Sequence, residues 1–152
     1  MGREVRRVPK DWNPPKSESY SDRLQPHYDK DFKSASEEWK AEYEKWKTDP
    51  EQENCEYWEW QSPPDRDYYR PAWTDEERTH LMLYSTTSEG TPMSPAFATP
   101  EELARYLADN KVSSFGSSTA TYEQWLKLCQ VGWAPSMVFN SNTGLSSGVE
   151  AV

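Results

Sequence analysis

The sequence predicts an α+β protein: a small domain with two or three helices and a short sheet, preceded by an extended arm and an aromatic amphipathic helix. Three observations lead there. Side-chain caps mark helix starts at Thr99 and Thr121. Short runs of strand-forming residues, His80–Thr87 and Met137–Phe139, bracket those helices. Finally, the apolar content is aromatic: 8 Trp, 9 Tyr and 4 Phe stand against 8 Leu, 7 Val and no Ile in 152 residues. So few aliphatic side chains, with a net charge of -9, ordinarily leave a chain disordered. Trp and Tyr reverse that expectation, because each buries a large area with few rotatable bonds, and both are enriched at the centres of interfaces.

Residues 1–31 read as an extended arm, since Pro9, Pro14, Pro15 and Pro26 exclude helix and central strand alike. Residues 32–73 read as an acidic, aromatic-rich helical segment. Within it, a helix is predicted over 34–47: Ser34 and Glu37 match a capping box, and Asp49-Pro50 stops the helix. Trp39, Tyr43 and Trp46 recur at i, i+4 and i+7, one aromatic stripe, with Phe32 extending it backwards; such a stripe reads first as core and alternatively as a partner groove. Tyr57-Trp58-Glu59-Trp60 reads either as a short strand with Trp58 and Trp60 on one face or as part of an irregular wrap.

Residues 74–140 form the predicted α+β core. Thr74 with Glu77 opens a short helix, and His80–Thr87 follows as a strand. Pro92 and Pro95 exclude a regular ladder from the next loop. Thr99-Pro100-Glu101-Glu102 combines a cap, a proline at the first helical position and a box, and the helix carries Leu103, Tyr106 and Leu107 to about Asn110. Thr121 with Gln124 starts the next helix, with Trp125, Leu126, Leu128 and Cys129 inward and Gly132 at its stop. Residues 141–152, rich in Ser and Gly, read as a flexible tail.

Charge is unevenly spread: residues 1–16 carry +3, residues 17–80 carry -9 and residues 81–152 carry -3. The acidic middle repels a phosphate backbone, so no nucleic acid is expected as a direct partner; it attracts a basic protein surface instead. No apolar run approaches the roughly 18 residues of a membrane span, and the basic N-terminus lacks the apolar core of a secretory signal. Cys55 and Cys129, 74 residues apart, suit two reduced thiols in a cytoplasmic protein. No cofactor and no metal site is expected, because His27 and His80 lack ligand spacing to other donors. Arg78, Ser85-Thr86-Thr87 and Glu123 follow the arginine, serine, glutamate order of ADP-ribosyltransferases, but Thr121 stands where those carry a second acid. No catalytic residue is assigned.

Two sets of residues are candidates for binding. Trp39, Tyr43, Trp46, Trp58 and Trp60 offer contact area to a protein partner, and acids including Glu56 and Glu59 steer a basic one. The alternative is a nucleotide or phosphate site in the loop at 113–121, where Ser114, Gly116, Ser117 and Ser118 precede a helix start and Arg78 or Arg105 supplies charge. A third reading is a structural virion component.

Several runs carry a resemblance: Val5-Arg6-Arg7-Val8-Pro9 with Trp12, Glu76-Glu77-Arg78-Thr79-His80, Glu89-Gly90-Thr91-Pro92-Met93-Ser94-Pro95-Ala96-Phe97, Thr99-Pro100-Glu101-Glu102-Leu103-Ala104 and Thr121-Tyr122-Glu123-Gln124-Trp125-Leu126. They resemble a group of small uncharacterised proteins encoded by bacteriophages and prophages. That resemblance implies a phage accessory protein acting in the host cytoplasm; the excess of Trp and Tyr, the acidic segment and the lack of a catalytic signature add the expectation of a binding protein that engages, and on one reading inhibits, a host defence or regulatory protein. The resemblance implies no activity and transfers no site residue.

Overall fold

The structure, a computed structural model, describes residues 2–18, 23–49, 61–87, 89–142 and 144–151. Tyr57–Trp60, with Glu56, lies outside them, so the strand expected there is not part of the description. In chain order the strands are β1 (Gly2–Val8), β2 (Tyr28–Asp31), β3 (Tyr69–Arg70), β4 (His80–Ser85), β5 (Thr91–Pro92), β6 (Trp133–Pro135), β7 (Met137–Asn140) and β8 (Gly144–Ser147). The helices are α1 (Phe32–Thr48), α2 (Pro100–Asp109), α3 (Tyr122–Val131) and the single turn α4 (Gly148–Ala151). The predicted α+β class is what the chain adopts. It forms two compact units, Met1–Pro26 with Trp73–Val152, and His27–Ala72.

The larger unit is built on an antiparallel sheet of order β5-β4-β1-β6. β1 pairs with β4 from Arg3↔Ser85 to Val8↔His80, and with β6 at Gly2↔Pro135 to Glu4↔Trp133. Residues alternate across the pleat, so the partners Val5 and Leu83 face one side while Val8, Met82 and Tyr84 face the other. The sequence suggested an extended arm here. The chain is extended, but as an interior strand, because the prolines begin only at Pro9 and every amide from Gly2 to Val8 is free to join a ladder.

The first side is covered by α2 and α3. Thr99 caps α2 by accepting from the Glu102 amide at 3.2 Å, with Pro100 in the first turn. Thr121 and Gln124 form a reciprocal capping box on α3, and Gly132 ends it at φ 99°, the left-handed conformation that glycine adopts without steric cost. The faces so fixed bury Leu103, Ala104, Leu107, Trp125, Leu128 and Cys129 against Leu83, Ala134 and Val149. Each fully buried leucine contributes about 1.5–3 kcal/mol. Over the opposite side, Trp12 and Trp73 meet edge to face at 4.9 Å above Val8, Met82 and Tyr84, and the Trp12 indole N–H donates to the Tyr84 hydroxyl at 3.2 Å.

Three local departures from the sequence reading have simple causes. Residues 75–77 make a turn without going on to a helix; Thr74 still caps it, accepting from Glu77 N at 3.3 Å. The N-cap of α1 is Asp31, which accepts from both Ser34 N and Ser34 Oγ at 2.9 Å, so Ser34 serves as donor to an earlier cap. The C-terminal residues are ordered: β7 and β8 pair as a hairpin, and Ser147 and Glu150 exchange backbone-to-side-chain bonds across α4. That short helix inserts Val149 fully into the core.

Gly148 makes that closure possible. A Cβ placed there would lie 1.8 Å from the Pro135 carbonyl oxygen, a backbone atom with no room to move. Gly148→Ala is therefore expected to cost about 1–3 kcal/mol, read as a lowered midpoint in urea with the slope unchanged. An unchanged midpoint would mean that α4 does not dock on β6.

Candidate functional site

The smaller unit, His27–Ala72, holds the aromatic stripe. Its frame is slight: β2 and β3 pair in parallel through Tyr28↔Tyr69 and Asp31↔Arg70, and α1 buries only Ala35. Aromatic contacts do much of the joining. Tyr69 packs on Tyr28 at 5.2 Å and on Phe32 at 6.1 Å between ring centroids, and the Arg66 guanidinium lies 4.5 Å over the Phe32 ring. Asp29 and Arg70 pair at 2.8 Å beside them.

Along α1 the expected stripe is a continuous ladder. Trp39 stacks on Tyr43 with centroids 5.6 Å apart and planes within 2°, and Tyr43 stacks on Trp46 at 6.1 Å and 21°. All three are half-buried. The Trp39 indole N–H donates to the Gln61 carbonyl at 3.0 Å, which ties the chain after residue 60 back to the helix. The Lys47 ammonium approaches the Tyr43 ring at 6.0 Å. Trp58, Trp60, Glu56 and Glu59, the other candidates for this surface, lie outside the described residues.

Trp39 also forms one wall of a cleft of about 430 Å³. Tyr28 and Tyr69 supply further aromatic surface, and Asp29, Glu38 and Glu42 supply carboxylates. Glu38 and Glu42 reach it because they fall four residues apart on the face of α1 that carries Trp39. Lys30, also lining the cleft, pairs with Glu38, and that bond holds the ammonium pKa above its ordinary value. The Asp31 carboxyl at the head of α1 is held below its ordinary range, first by the Ser34 amide and then by the Ser34 hydroxyl. Carboxylates beside ring faces form a surface for a cation; two of these carboxylates already take the chain's own cations, Glu38 pairing with Lys30 and Asp29 with Arg70. The stripe was legible in the sequence; Tyr28, Asp29 and Tyr69 were not, because they come together only through the pairing of β2 with β3.

The serine-rich loop of the larger unit has a different character. Ser114 N donates to Ser118 O and Ser118 N to Phe115 O, each at 2.9 Å, and Ser113 Oγ donates to Gly116 O at 2.7 Å. Two of its amides are thus spent inside the turn. Ser114 is fully buried, and its hydroxyl has no partner among the described residues. Gly116, Ser117 and Ser118 are exposed. Arg78 pairs with Asp75, and its carbonyl accepts from Arg7; Arg105 lies 4.0 Å over the Tyr122 ring and 3.9 Å from Asp109. The cation that does reach the loop is Arg3, which donates to Ser113 O at 3.0 Å and to Ser85 Oγ at 3.2 Å. Burial lowers its pKa. Its place on a strand edge-on to a loop 110 residues away left no local signal in the sequence.

Among the described residues, no group of three His, Cys, Asp or Glu side chains gathers to hold a metal ion, and no helix is long and apolar enough to cross a membrane. No protein-family model, curated protein or solved structure matches the chain.

Cys129 is shut in the core, and burial pushes its thiol up to about 12. In a Cys55→Ser background it should not react with Ellman's reagent at pH 8 until denaturant is added. The same shift fixes a sign. Between roughly pH 9 and 12 the unfolded chain loses this proton and the folded one keeps it, so stability falls as pH rises. Comparison of urea midpoints with a Cys129→Ala variant should show a steeper fall in the parent, the difference being the part that Cys129 contributes.

Proposed function

We propose that this protein is a non-enzymatic binding protein whose residues 27–72 capture a basic segment of another protein. One observation carries the reading: the cleft in which Trp39, Tyr28 and Tyr69 stand beside Asp29, Glu38 and Glu42, continued along α1 by Tyr43 and Trp46. A guanidinium or ammonium from a partner meets there both ring faces and carboxylates, competing with Lys30 for Glu38 and with Arg70 for Asp29. The surrounding segment favours its approach, since residues 27–72 hold 7 basic and 13 acidic side chains, a net charge of -6. The resemblance to bacteriophage-encoded proteins supplies the setting, an accessory protein in the host cytoplasm that engages and inhibits a host protein. The inward commitment of Ser114 and of two loop amides weighs for this cleft over the serine loop as the binding site.

The test is a tryptophan-fluorescence titration with a short arginine-rich peptide. Saturable binding that weakens steeply with salt is expected. Trp39→Ala, and separately Glu38→Gln with Glu42→Gln, should each weaken it by about two- to thirtyfold, the range that loss of a cation–π contact spans. No saturation at peptide concentrations near 1 mM, or equal binding by the parent and both variants, would sink the proposal.

A further inference from the structure

We infer, with the Trp39 cleft taken as the binding site, that the cation it selects is a guanidinium rather than an ammonium, and that Lys30 sets the threshold as the cleft's resident ligand. The unit's own cations show the difference. The Arg66 guanidinium lies 4.5 Å over the Phe32 ring, whereas the Lys47 ammonium stands 6.0 Å from the centre of the Tyr43 ring. A guanidinium is planar and more weakly hydrated than an ammonium, so it gives up water for a ring face more readily.

The two ion pairs at the cleft differ in how easily they yield. Arg70 and Asp29 have side chains 12% and 35% exposed, while those of Lys30 and Glu38 are 42% and 61% exposed. A pair that open to water adds little, because solvent competes for both ends. Glu38 is therefore the carboxylate that a partner can win, and Lys30 is the group to be displaced.

That exchange discriminates between partner side chains. A lysine replaces one ammonium on Glu38 by another and gains no ion pair. It also competes with a side chain tethered to the same cleft, at high effective concentration. An arginine brings what Lys30 lacks. Its fork can take two carboxylate oxygens at once, and Glu38 and Glu42 line the cleft four residues apart on α1. Its flat face can then lie on the indole of Trp39, which lines the same cleft.

The test is a pair of fluorescence titrations of the full-length protein, with an arginine-only and a lysine-only peptide of equal length. The parent should bind the arginine peptide at least about fivefold more tightly. Lys30→Gln should tighten both peptides by one common factor, up to about fivefold, because the displaced pair is the same for each. Lys40→Gln removes the same charge from α1 at a position that does not line the cleft, and should tighten them less. Trp39→Leu keeps apolar bulk without the ring face, and should bring the two peptides within about twofold of each other. A difference under about twofold in the parent, or a preference that Trp39→Leu retains in full, overturns the choice of guanidinium. Equal tightening by Lys30→Gln and Lys40→Gln overturns the role of Lys30. In those outcomes the parent still binds the arginine peptide, so the cleft stands. Saturation by neither peptide removes the cleft, and the preference with it.

Discussion

The larger unit depends on the insertion of β1 between β4 and β6. Both neighbours come from at least 70 residues later in the chain, so the strand closes long loops before any of its bonds is made. It also carries three arginines into the middle of a sheet. The side chains solve that problem with backbone oxygens. Arg3 donates to Ser113 O and Gly2 O, Arg6 to Glu89 O, and Arg7 to Arg78 O. Arg6 adds a carboxylate, Glu4 at 2.8 Å, and it lies 4.3 Å over the Tyr84 ring. A guanidinium presents five N–H groups in a fixed fork, so each one that is satisfied holds a stretch of loop in place. Through these bonds the central strand positions the turn after β4, the serine loop before α3 and the turn before β4.

An aliphatic-poor chain can fold in this way because its few leucines are concentrated. Leu83, Leu103, Leu107 and Leu128 are all fully buried on one side of the sheet, around Trp125. The other side is roofed by tryptophan, which covers Met82 and Tyr84 from Trp12 and Trp73 in segments with no regular structure of their own. An indole has only two rotatable bonds to fix, so such a roof costs little conformational entropy for the area that it covers.

The sequence showed most clearly what is encoded within a few residues. Thr99 and Thr121 cap the helices that they predict, Gly132 ends α3, and the spacing of Trp39, Tyr43 and Trp46 becomes a stacked ladder. Partners brought in by long-range pairing were illegible. β1 offers only valines among charges, and nothing near Gly2–Val8 reveals that Arg3 and Arg6 will be covered. The cleft was half legible for the same reason: Glu38, Trp39 and Glu42 belong to one helix face, while Tyr28 and Tyr69 arrive from opposite ends of their unit. Of the hairpin after β6, Met137–Phe139 was legible as a strand, while its return strand β8 hid behind its composition, since Ser, Gly and Asn suggest a loose tail. The Ser147-x-x-Glu150 spacing, read as a capping box, is the local signal that would have marked its ordered end.

The proposed cleft works through charge, and that contribution decays over a screening length of about 8 Å at physiological salt. It joins Glu38, Trp39 and Glu42 on one face of α1 to Tyr28, Asp29 and Tyr69 from the paired strands β2 and β3. The stripe alone supplies only ring faces along the helix; the pairing of β2 with β3 adds the second wall, so a substitution that loosens that pairing opens the cleft without touching Trp39.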